Sequence, residues 1–288
     1  MVSVVTEDTP KPAATVVVLR DSSAGPEVFM VRRHAGTAFR GAHVFPGGRV
    51  DASDQGMATE HWCDGLDHAD RQLAELPSEE ARAYHVAAVR ELFEEAGVLL
   101  ARPEPDRFVS LADADAHSRF TRYRADVHAG TQALRAIAER EALRLSLDAL
   151  VLFAHWVTPP SPVEGRRFDT RFFMTRVPPG QVPAHDDRET TDSVWMTPGD
   201  AIERATRREI ILPPPTWVTL RELERHPTVD AALAWAAARR VVRREPAIVN
   251  QHGDRVLVMP VDDSPDSAGF ERRFALRDGA WGPVRETT

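Results

Sequence analysis

Ala87-Ala88-Val89-Arg90-Glu91-Leu92-Phe93-Glu94-Glu95-Ala96-Gly97-Val98 is the stretch whose reading decides the fold. Wound at about 100° per residue, it is an amphipathic helix with Ala88, Val89, Leu92, Phe93 and Ala96 on one side. Arg90, Glu91, Glu94 and Glu95 fall on the other side, within an arc of roughly 140°, and the small Ala87 sits inside that arc. The spacing predicts a helix over residues 84–97, with Gly97 as its C-cap. Three carboxylates converge at i, i+3 and i+4, where like charges cost a few tenths of a kcal/mol per pair. A divalent cation reverses the sign of that cost, because Mg2+ and Mn2+ take hard oxygen ligands. A solvated acidic face with one Arg–Glu pair carries the same pattern, and the helix alone leaves both readings open.

Upstream, Phe45-Pro46-Gly47-Gly48-Arg49-Val50-Asp51 is a Gly-rich turn after a short strand, His43-Val44-Phe45. Such a turn lets the backbone approach phosphate closely and present N–H groups to it. Taken alone, Pro-Gly-Gly is an ordinary turn where helix or sheet breaks.

Together these residues resemble the Nudix hydrolase family. Its signature is Gly, five residues, Glu, seven residues, then Arg-Glu-apolar-x-Glu-Glu-x-Gly-apolar. Gly48 matches the first glycine, and residues 90–98 match the second half without a gap. The family separates that Gly and that Arg by 13 residues; here positions 49–89 intervene, 28 too many. Counted back from Arg90, the signature's middle Glu falls on Arg82. It is missing or displaced, to Glu79 or Glu80, and is not carried over. An interrupted box is similar to the Nudix branch that includes the peroxisomal acyl-coenzyme-A diphosphatase. Phe39–Gly48 looks like that branch's approach to the box, and Trp156–Pro159 with Arg167–Phe173 looks like its later strands.

The resemblance implies an α/β fold, a mixed-sheet α/β/α sandwich of Nudix type. It implies hydrolysis of a diphosphate linked to a second moiety, coenzyme A or acyl-coenzyme A in this branch, with Mg2+ or Mn2+. By it, Gly48, Glu91, Glu94 and Glu95 hold the metal, Glu94 or Glu95 takes a proton from water, and Arg90 orients a carboxylate. A further acid often lies in a loop before a late strand of the family, and Glu189 has that place; a plain solvated acidic loop is the competing reading. Arg33, Arg40 and Arg167, with the Gly47 backbone, are candidates for the substrate's phosphates, since Arg forks match phosphate oxygens. Each is otherwise a surface Arg.

The rest of the chain reads as a mixed order of strands and helices. Residues 1–12 are expected to be a loose tail, 13–245 the hydrolase domain with a helical insertion at about 52–82, and 246–288 a β-hairpin extension. Strands are expected at 14–20, 27–33, 152–158, 167–177 and 194–196. Helices are expected within 111–147, from Pro198 behind an N-capping Thr197, over 217–225 and over 229–244. Arg239, Arg240, Arg243 and Arg244 would then favour that last helix's C-terminus. His85 reads as packing or surface, and Cys63 as a small buried group.

Composition bounds the function. The 288 residues are 42% hydrophobic and 28% charged, a globular profile that excludes a collagen, a coiled coil or a wholly disordered chain. The net charge of −8 and pI of about 5.8 argue against a nucleic-acid partner. One cysteine excludes an internal disulfide and a Cys-rich zinc site, and points to a reducing compartment. No apolar run spans a bilayer and the N-terminal residues lack the form of a signal peptide, so a cytoplasmic protein without a membrane partner is expected. The expected partner is a small nucleoside diphosphate compound, with a homodimer as the assembly. Two other readings remain open in the sequence: a diphosphatase of a dinucleotide or ADP-ribose, and a Nudix-fold binding protein without turnover.

Overall fold

The computed structural model describes residues 9–34, 41–129, 134–160, 167–186, 188–251, 253–260, 271–277 and 279–284. In chain order the first elements are β1 (Lys11–Ser22), β2 (Gly25–Arg33), β3 (His43–Val44), β4 (Gly47–Arg49), α1 (Ala52–Met57), β5 (Cys63–Asp64), α2 (Leu66–Gln72) and α3 (Ser78–Ala96). Next come β6 (Ala101–Arg102), α4 (Ala114–His128), α5 (Leu134–Arg140), β7 (Arg144–Ser146), β8 (Val151–Val157), β9 (Phe168–Arg176) and β10 (Thr190–Met196). The chain continues through α6 (Pro198–Thr206), α7 (Pro214–Leu223), α8 (Val229–Ala238), β11 (Arg243–Arg244), β12 (Ala247–Gln251), β13 (Asp254–Val258), β14 (Arg273–Arg277) and β15 (Ala280–Pro283).

The central sheet runs β10-β2-β1-β9-β8-β11, with β3 on β2 and β4 on β1. It is mixed, since β1 pairs with β9 and β8 with β11 in parallel while its other pairs are antiparallel. Strand alternation explains why helices cover both faces. Ala14, Val16 and Val18 of β1 enter the core that holds Val89, Leu92 and Phe93 of α3. Val17 and Leu19, pointing the other way, pack with Trp217 and Leu220 of α7 and Ala232 and Ala236 of α8. The expected α/β/α sandwich is what forms.

Several boundaries differ from the sequence reading. β1 begins at Lys11, inside the segment read as tail, because Lys11 and Pro12 pair with Phe168 and Asp169 of β9. α3 begins at Ser78, so the insertion's expected end at 82 falls within a helix. Gly47 and Gly48 do not end the sheet: they lie in β4 against Thr15 and Ala14. α8 stops at Ala238, and Arg243 and Arg244 form a strand. Arg239 is the C-cap of α8, whereas Arg243 and Arg244 lie beyond the helix; Arg239 and Arg244 both pair with the buried Glu222. Where the sequence reading expects a β-hairpin extension, β12-β13-β14-β15 form a four-stranded antiparallel sheet, seated on the α7 side through Phe274 against Trp217. No helix among the described residues is long and apolar enough to cross a membrane.

Candidate active site

The charged arc of α3 is not a solvated face. Ala87 is fully buried, and the side chains of Arg90, Glu91, Glu94 and Glu95 are only 10, 13, 16 and 4% exposed. β4 and α1 cover it. Gly48 makes the approach of β4 possible: a Cβ built there would lie 2.4 Å from Glu91 Oε1. One at Gly47 would lie 2.4 Å from the Ala14 carbonyl oxygen. The Gly47 N–H instead donates to Glu95 Oε2 at 2.9 Å. At the far end of the arc, Gly97 caps α3 in the left-handed region, φ +68°, which favours a residue without a Cβ.

Arg90 is the hub. Its Nη1 donates to Glu91 at 2.7 Å and to Glu94 at 3.2 Å, and its Nη2 donates to the Arg49 carbonyl at 2.7 Å. Its strongest partner is Asp54 of α1, held by a two-pronged fork at 2.8 and 3.0 Å. Asp54 is 2% exposed and also accepts the Asp51 backbone N–H at the start of α1. This corrects the search for the middle acid at Glu79 or Glu80. Asp54 stands six residues after Gly48, the place the signature's first half prescribes, so the extra chain enters after Asp54. Counting forward from Gly48, and admitting Asp for Glu, would have found it. Arg82 makes a separate fork to Asp70 of α2.

Burial sets the electrostatics of the three glutamates. It pushes the Glu91 carboxyl up to about 7, with Arg90 opposing and Glu94 reinforcing the rise. It pushes Glu95 up to about 8, with Arg33 opposing. Glu94 is raised for the same reason. Among the described residues no three acidic, His or Cys side chains are already gathered as a metal cage. The oxygens of Glu91 and Glu94 turn to Arg90, and Oε2 of Glu95 turns to Gly47. The donor set still fits a hard divalent cation: three buried carboxylates on one helix face, two of them sharing Arg90 and the third facing a cation only at 3.8 Å.

Arg33, the last residue of β2, reaches the same site. Its Nη2 lies 3.8 Å from Glu95 Oε1 and 3.9 Å from Glu189 Oε2. The structure thus brings Glu189 to the site's edge with its side chain 49% exposed. The loop before β10 holds it there through Asp186. That carboxylate accepts the backbone N–H groups of Arg188, Glu189 and Thr190 and the Thr190 hydroxyl. From α4, Arg124 donates to the Glu94 and His185 carbonyls, binding the loop to the end of α3. Sequence reasoning missed Asp186 and Arg124, and no spacing signal marks either. Arg167 is not brought to the carboxylates. It precedes β9, across β1 from β4, and its guanidinium pairs with Glu245 and the Thr158 carbonyl. Arg40 lies outside the described residues.

The NUDT19 Nudix domain family matches residues 66–223, more than half of the chain. Acyl-coenzyme A diphosphatase NUDT19 of Homo sapiens is 33% identical over 218 residues, 64% of this chain and 56% of that protein. Its counterpart in Xenopus laevis is 26% identical over 231 residues, 68% of this chain and 59% of that protein. The chain thus spans less than two thirds of the length of these relatives. Among solved structures, a NUDIX hydrolase from Alicyclobacillus acidocaldarius is 27% identical with a TM-score of 0.64, over 79% of this chain and 96% of that one.

Proposed function

The chain belongs to the Nudix hydrolase family, in the group described by the NUDT19 Nudix domain, and from that premise we propose that it hydrolyses the diphosphate of coenzyme A or an acyl-coenzyme A. The products are 3′,5′-ADP and (acyl-)4′-phosphopantetheine. The observation that carries the reading is the buried, mutually repelling set Glu91, Glu94 and Glu95 laid against Gly47 and Gly48. The resemblance to relatives named acyl-coenzyme A diphosphatase supports the choice of substrate.

In this reading Glu91, Glu94 and Glu95, with the Gly48 backbone, hold Mg2+ or Mn2+. The bound cation acidifies water and offsets charge on the phosphates. Arg90, pinned by Asp54, fixes the rotamers of Glu91 and Glu94 and touches no substrate. Glu94, Glu95 or Glu189 accepts the proton of the attacking water, and burial, which raises the Glu94 and Glu95 carboxyls, makes each of those two a better proton acceptor than an exposed carboxylate. Arg33 and Arg40 are the candidate phosphate contacts, and the Gly47 N–H joins them only by leaving Glu95 Oε2. Arg167 serves the substrate only by leaving Glu245. The reading includes a cytoplasmic setting, supported by the single, buried Cys63. It also includes a homodimer, which light scattering tests: a monomer at micromolar concentration removes it.

The deciding experiment incubates purified protein with coenzyme A and Mg2+ or Mn2+, with Glu94→Gln as control. Release of 3′,5′-ADP and 4′-phosphopantetheine by the wild type alone is the expected result. Cleavage of ADP-ribose or a dinucleotide in its place would move the substrate elsewhere within the family. No cleavage of any of them, together with no metal uptake, would leave a binding protein.

A further inference from the structure

Two arginines divide the site's carboxylates between them. Arg90 serves Glu91 and Glu94 and is itself locked by Asp54 and the Arg49 carbonyl. Arg33 is the cation that ion-pairs with Glu95 among the described residues. The two are held very differently. Every Arg90 contact named above is of hydrogen-bond length, whereas both Arg33 contacts, at 3.8 and 3.9 Å, are longer than a hydrogen bond. Arg33 Nε is buried and, among the described residues, has no hydrogen-bond partner. A guanidinium with a buried, unmatched N–H and two long contacts is poorly satisfied where it rests.

Its position conflicts with a second cation. Glu95 is 4% exposed; one oxygen is taken by the Gly47 N–H and the other faces Arg33. A divalent cation reaching that second oxygen meets the Arg33 charge, whose Nη2 lies 3.8 Å from the same oxygen, in partly buried surroundings that screen it incompletely. Resting on the reading of Glu95 as a metal ligand, we propose that Arg33 is the site's resident counter-cation. It neutralises Glu95 in the metal-free protein, and the divalent cation must displace it to bind. Arg33 thereby sets the metal concentration at which the site fills.

Mn2+ binding to the metal-free full chain, followed by the electron paramagnetic resonance signal of free Mn2+, tests this without any turnover. Arg33→Gln is expected to bind Mn2+ about threefold tighter or more, the scale of one partly exposed ion pair removed. Arg33→Lys, which keeps the charge, is expected to stay within about twofold of wild type. A merely structural role predicts the opposite sign for Arg33→Gln, because a loosened site binds metal less well. Unchanged or weaker binding by Arg33→Gln, with wild-type affinity measurable, overturns the proposal and leaves the metal reading standing. So does equal tightening by Arg33→Lys. No Mn2+ uptake by the wild type overturns the metal reading and this proposal with it.

Discussion

A methyl group at Gly48 has nowhere to go except into Glu91. The added Cβ would lie 2.4 Å from Glu91 Oε1, and the clashing atom is the end of a flexible side chain. Gly48→Ala is therefore expected to keep the fold and push the carboxylate aside. Calorimetry should find Mn2+ binding weakened about tenfold or more, with the unfolding midpoint within a few degrees of wild type. Asp54 has the opposite character. Removing it leaves the buried Arg90 without its fork, and the cost of breaking a buried ion pair is about 3–5 kcal/mol. Asp54→Ala should lower the urea midpoint accordingly and slow turnover, since Arg90 then leans on Glu91, Glu94 and the Arg49 carbonyl. A midpoint equal to wild type would show that the pair contributes nothing. Glu94→Gln separates chemistry from folding: kcat is expected to drop about 100-fold or more with an unchanged midpoint. An unaltered kcat removes Glu94 from the reaction.

Elements from well-separated parts of the chain meet at this site, and they were unequally legible. α3 was legible because its apolar stripe and its Gly97 cap are local signals that agree. Its first turns were not, because Ser78, Glu79 and Glu80 are polar and join the helix only as an extension of the apolar stripe that begins at Ala81. β4 was hidden for a different reason. Two glycines carry no strand propensity, and they form one only because neighbouring β1 needs a partner without side chains. The Glu189 loop was legible in position but not in construction. Its geometry comes from one carboxylate, Asp186, accepting four donors, and from α4, which no local pattern connects to it. Asp186→Ala is thus expected to loosen the loop while leaving α3 intact. Amide exchange should quicken across residues 184–190 and kcat should fall about tenfold. Faster exchange with unchanged kcat would take Glu189 out of the reaction.

At the scale of the whole molecule, the extra chain after Asp54 is built into the core and is no appendage. Ala69 of α2 and Leu73 at its C-cap are fully buried in the same cluster as Leu92 and Phe173. A polar relay runs beneath them. His85 of α3 is fully buried against the Phe173 ring, with Nδ1 at 2.8 Å from the Ala81 carbonyl oxygen and Nε2 at 3.2 Å from Gln72 Oε1. Gln72 in turn accepts the Leu152 N–H and donates to the Leu150 carbonyl, tying α2 and α3 to β8. Burial holds His85 down to about 4, with His68 adding to the depression while the Ala81 carbonyl and Asp70 oppose it. The folded protein therefore takes up this proton less readily than the unfolded chain, whose histidine titrates near 6.5. The stability His85 contributes is complete above about pH 6.5 and is lost as pH falls from there to about 4. Other groups titrate in that window, so the difference between two proteins isolates this one. His85→Gln keeps an amide in the relay and cannot be charged, so it is expected to cost stability at pH 7.5. The gap to wild type should narrow steadily as pH drops from 6.5 towards 4 in urea melts. A gap independent of pH would mean that His85 is not kept neutral by its burial, and that acid attacks the fold elsewhere.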